Sequence, residues 1–294
     1  MATFTDEDLL QLDEKFAKEG VAFHARPLRA AVEILKGEFA IGGAPFHNPQ
    51  VDEICQAYRR LISECDTTWP GAGNGLIGSL DRIRKVTVPV VMGSEMINIG
   101  KGLEFASDKE WYEWCRRNPR IIARSAFAFA DIYDLAYGIE EHKGGHPVAM
   151  ERWVRATENL ADLSSRLADS GNLGEAILQP IGLTAELSLK GTLIHLGMSP
   201  EDLTKKTYGH GYQALAEKLV QLCPHRDDPE VLRVIASLPQ LVASRYDVTG
   251  LTRLQIIELA LGVQFVAASA VRRISSYDLA KDMEATAPRP AFFT

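Results

Sequence analysis

The chain reads as a mainly α protein: an N-terminal helical region with one small β-hairpin, then an antiparallel helical bundle. Three observations predict this. Capped segments with apolar residues every three or four positions recur from end to end. Only one segment, 83–91 (IRKVTVPVV), alternates and is rich in β-branched residues. A polar, glycine-rich stretch, 140–147 (EEHKGGHP), then precedes four long helical patterns. Together they place a helical domain at 1–143, a bundle at 147–282 and a loose tail at 283–294. The alternative for that tail is docking through Phe292 and Phe293.

Each element has a local reason. Thr5 and Asp8 form a capping box opening a helix over 6–19. Pro27 sits at a natural first-turn position for 27–35, and Pro49 opens a third helix through Tyr58 and Ile62. The segment 67–78 (TTWPGAGNGLIG) reads as a flexible turn. It lacks the preceding strand and the Lys-Ser/Thr pair of a phosphate-binding loop. Pro89 puts the strand 83–91 at an edge or a bulge, and Gly93-Ser94 returns it into a second strand at 96–99. Ser107 and Glu110 cap a helix carrying Trp111 and Trp114. From 121 to 137 the chain is apolar nearly all round, which marks a buried central helix. The four long patterns are 148–170, 173–196, 212–222 and 252–280. A shorter helix over 229–243 starts at Asp228-Pro229.

The formal charge of −7 argues against a surface built for a phosphate backbone. Four scattered cysteines without a CxxC pair read as reduced thiols, and neither a cofactor signature nor a metal-ligand spacing appears. Glu140, Glu141, His142 and His146 lie on a linker and read as solvated. The acidic, amphipathic N-terminus is unlike a signal peptide. Apolar runs fall short of the roughly 20 residues of a membrane span. A cytoplasmic protein without a membrane partner is the expectation.

The richest stretch is 183–222 (LTAELSLKGTLIHLGMSPEDLTKKTYGHGYQALAEKLVQL). Glu186 and Lys190 stand four apart on one helix. The ordinary reading is a solvated intrahelical pair; the alternative has both face a groove containing His210. Flanking glycines leave His210 free to meet an anion at the next helix N-terminus, or simply to pack against the bundle. Lys205, Tyr208 and Arg245 complete the candidate ligand-binding set. No catalytic residue stands out.

In these motifs 148–280 resembles the HEPN helical-bundle family. The matching features are the AELSLKGTLIHLG helix, the YGHGYQAL opening and the SRYD segment. Tyr208–Leu215 resembles the loop of nucleotide-binding and scaffold branches, with Gly211 in place of an acidic residue. The resemblance implies a module that binds a nucleotide, a nucleic-acid phosphate or a partner protein. Ribonuclease members carry an Arg four to six residues before a His on one helix, and none of the seven histidines here has one. Arg272 followed by Tyr277 is a distant echo that reads as a surface feature. A divergent ribonuclease or toxin component and a purely structural assembly protein are therefore the alternatives. RNA is a possible ligand class. The last long helix is apolar over most of its circumference, so part of it should meet the N-terminal domain or a second subunit. The second choice predicts a homodimer.

Overall fold

The computed structural model describes residues 4–39, 48–62, 72–89, 98–169, 175–205, 207–239 and 250–293. Contacts divide the chain into two compact units, Met1–Pro70 and Gly71–Thr294. The division falls at 70/71, and the predicted linker at 140–147 lies inside the second unit as a turn between two helices. Chain on both sides of that linker contributes to one apolar core, which is why it does not separate domains.

The first unit is a small helical assembly of α1 (Asp6–Lys18), α2 (Arg26–Leu35) and α3 (Pro49–Leu61). The Thr5 capping box forms as expected, and Asn48 caps α3. Leu9, Phe16, Ala31, Leu35, Ile54 and Tyr58 make its core. Asp13 ties the helices together by accepting from Arg26 and from the Tyr58 hydroxyl.

The second unit holds an antiparallel pair, β1 (Gly73–Ser79) and β2 (Arg82–Val88), joined by a two-residue turn with Ser79 opposite Arg82. It then runs through α4 (Ile99–Gly102), α5 (Asp108–Trp114), α6 (Pro119–Glu141), α7 (Pro147–Asp169) and α8 (Leu178–His195). α9 (Tyr212–Leu222), α10 (Asp228–Ser237), α11 (Arg253–Arg272) and α12 (Leu279–Glu284) complete it. The protein is thus mainly helical with one small sheet.

The hairpin is displaced from its expected position. The glycine-rich segment read as a turn contains β1, while Ile99, expected to end a second strand, opens α4. Residues 90–97 lie outside the described residues. Gly73 and Gly75 explain the misreading. A Cβ on Gly73 would lie 2.6 Å from Ala136, and one on Gly75 would lie 2.5 Å from Ile132 and from the Gln264 side chain. Glycine at every second position lets α6 press onto the strand. Gln264, fully buried on α11, accepts from the Leu76 amide at 2.9 Å and donates to the Leu76 and Ala128 carbonyls. It thereby satisfies backbone groups on the unpaired edge of β1.

α11 is the axis of this unit. It packs against α6, α7, α8, α10 and β1, and by length and composition it could cross a membrane, contrary to the expectation that no segment would. Its apolar circumference is covered by elements of its own unit, chiefly α6 and α8, so those residues lend no support to a dimer. The helix stops at Arg272 instead of continuing to 280. The Ser-Ser-Tyr-Asp run that follows uses its polar groups elsewhere: Glu141 accepts from the Ser276 amide and hydroxyl, and Asp278 caps α12. α10 likewise ends at Ser237, short of the expected 243.

Candidate functional site

On α8 the stretch Leu178–His195 buries most of its surface, including Glu186 at 4% exposure. Burying a carboxylate is costly unless it is paired. Here Lys190 Nζ lies 2.7 Å from Glu186 Oε1 and also donates to the Gly209 carbonyl at 2.6 Å. One ammonium therefore neutralises the carboxylate and pins the loop before α9. The ordinary reading of a solvated pair is corrected: the two side chains are 6% and 12% exposed.

The loop brings the third residue in. A Cβ on Gly211 would meet the Thr207 carbonyl at 2.7 Å, so this tight turn needs glycine. It sets His210 Nδ1 3.1 Å from Glu186 Oε2, while the imidazole stays 64% exposed. A carboxylate paired with lysine accepts, so Nδ1 donates and Nε2 faces solvent. Immediately beyond, α9 begins at Tyr212 with no side chain capping its N-terminus. The first backbone N–H groups of a helix lack intrahelical acceptors and attract anions. Tyr212 is 4% exposed, and its buried hydroxyl has no hydrogen-bond partner. Burial first, and the Glu186 charge second, push that phenol well above its ordinary pKa.

The structure thus unites Glu186, Lys190 and His210. Lys205 points elsewhere: it pairs with Asp202 within the short insert, and that hydrogen bond raises its pKa. Tyr208 is half-buried against the main core. Arg245, with the SRYD segment, lies outside the described residues. Tyr212 joins the cluster although the sequence reading passed over it, because an aromatic at the first helical position looks like any core residue.

A second polar cluster surrounds Arg272, which is buried, not a surface residue. Its guanidinium donates to Asp134 at 2.8 Å, Asp227 at 2.7 Å and Asp131 at 2.7 Å, and Asp278 lies 3.3 Å away. Burial favours the neutral carboxyl of Asp134 and raises its pKa against the pull of Arg272. At Asp227 burial acts the same way but loses: the hydrogen bond to His225 and the charge of Arg272 hold it well below the carboxylate range. Arg226 closes the rim through Asp278 and Glu284.

The linker histidine is also not simply solvated. His142 packs 4.4 Å from the His195 ring and 5.8 Å from Trp153, and its Nε2 meets the Ile274 carbonyl at 3.0 Å. No family model, curated protein or solved structure matches this chain.

Proposed function

We propose that this chain is a non-catalytic binding module that captures the phosphate of a nucleotide at His210 and the first turn of α9. One observation carries the reading. Glu186 accepts from Nδ1 of His210, which leaves Nε2 exposed to solvent beside an uncapped helix N-terminus. Lys190 cancels the Glu186 charge, so the pair beneath His210 sets no net negative charge against an anion at the helix N-terminus. The HEPN resemblance of 148–280 points the same way. α8 packs against α7, α9 and α11, and the loop entering α9 carries the histidine.

A carboxylate-oriented imidazole is also the start of a proton-transfer site. The ribonuclease alternative needs a second group to stabilise the scissile phosphate, and Arg272 is enclosed by four aspartates. The reading therefore stops at binding.

A thermal-shift screen with nucleoside mono-, di- and triphosphates tests it. A ligand at 100 times its Kd stabilises by about 2.7 kcal/mol, and His210→Ala should remove that gain. A flat screen with the wild-type chain would leave assembly as the better account.

A further inference from the structure

The C-terminal segment, expected to be loose or docked through Phe292 and Phe293, is docked along α6, α10 and α11. Arg289 donates to both carboxylate oxygens of Asp131, each at 2.8 Å. Its guanidinium carbon lies 4.7 Å from the Phe127 ring centroid and 4.8 Å from that of Phe265. Three residues on, the Phe292 amide donates to Glu230 at 2.9 Å while its buried ring meets Phe265 at 5.5 Å. Arg120 donates to the Ala291 carbonyl between them.

A bidentate carboxylate with two phenyl rings against the guanidinium is the chemistry that selects arginine over lysine. The receptor is built independently of its occupant. Phe127 and Phe265 stand on helices α6 and α11, and Arg272 already holds Asp131 from within. Removing Arg289 would therefore not leave Asp131 without a partner. The fit of the segment is imperfect where a fixed core element would be tight. Arg289 Nε is buried without a hydrogen-bond partner, and a cavity of about 10 Å³ lies against Arg289, Pro290 and Phe292. That is room for about one water.

We propose that this groove is a recognition site for a peptide carrying Arg-Pro-x-Phe, and that residues 289–292 occupy it as an exchangeable ligand in cis. A tethered ligand acts at an effective concentration on the order of millimolar, so a free peptide competes poorly until the tether is weakened.

The test uses the full-length chain with Arg289→Ala and a fluorescent peptide of sequence TAPRPAFFT, followed by anisotropy. The variant should fold and bind the peptide at least about tenfold tighter than the wild-type chain, which holds its own segment. Replacing the peptide arginine by lysine or citrulline should weaken binding at least about tenfold, since neither supplies the charged planar fork. Three results would overturn the proposal. One is equal binding to wild type and variant. Another is indifference to lysine or citrulline. The third is a variant that fails to fold, which would make Arg289 a fixed part of the core.

Discussion

The second unit contains one charged cluster of arginine and aspartates around Arg272 and another of glutamate, lysine and histidine around Glu186. Around Arg272, every guanidinium nitrogen meets a carboxylate of Asp131, Asp134 or Asp227, and those four side chains are buried. Around Glu186, the carboxylate and Lys190 are buried, but the chain of contacts ends on an exposed His210. A closed network has no group left over for a ligand. An open one is held from below and presents an imidazole nitrogen above. On the proposed reading, buried charge serves binding only where one member reaches the surface.

Removing the centre of the closed cluster should have the largest effect. Arg272→Met leaves several buried carboxylates without their cation, and breaking such a pair costs about 3–5 kcal/mol. Urea unfolding should place the variant near or below the limit of stable folding. A midpoint equal to wild type would mean that the network contributes nothing. Glu186→Ala should cost less, about 1–3 kcal/mol, because Lys190 keeps only the Gly209 carbonyl as a buried acceptor. Hydrogen exchange should quicken at Gly209–Gly211 in that variant. Unchanged protection there would break the link between Lys190 and the loop.

Acid should act in the same direction on Asp227, in the closed cluster, and on His195, which stands beside His142 and Trp153. The Asp227 pKa is lower folded than unfolded, so its stabilisation is complete above about 3.9 and disappears as pH falls further. His195 is lowered by burial, and also by His142 and His146, so it prefers to be neutral in the fold. The unfolded chain binds that proton more readily, so stability is full above about 6.5 and declines as pH drops below it. Denaturation midpoints measured from pH 5 to 7.5 should rise with pH, and His195→Asn should flatten the slope. A slope of opposite sign would refute the burial argument. The smallest effect on stability belongs to His210→Ala, within about 0.5 kcal/mol as for other exposed positions.

What the sequence revealed follows the same contrast. Helices with side-chain caps, such as α1 at Thr5 and α5 at Ser107, were legible because their signals are local. β1 was not, because its glycines answer to Ile132, Ala136 and Gln264, far away in sequence. Glu186 and Lys190 were legible as a pair, yet their burial depends on how α7, α9 and α11 surround α8. Arg272 read as a surface feature because its partners Asp131, Asp134 and Asp227 come from other helices and loops. Pairings across about a hundred residues leave no periodic trace.

The most direct test of the central claim is to watch the His210 ring nitrogens by NMR while a nucleotide is added to the wild-type chain. The claim predicts that Nε2 of His210 shifts with saturation at or below about 1 mM ligand. His210→Ala should abolish binding while its unfolding midpoint stays at the wild-type value. Saturable nucleotide binding that leaves the His210 resonances unmoved, or that survives His210→Ala, would contradict it.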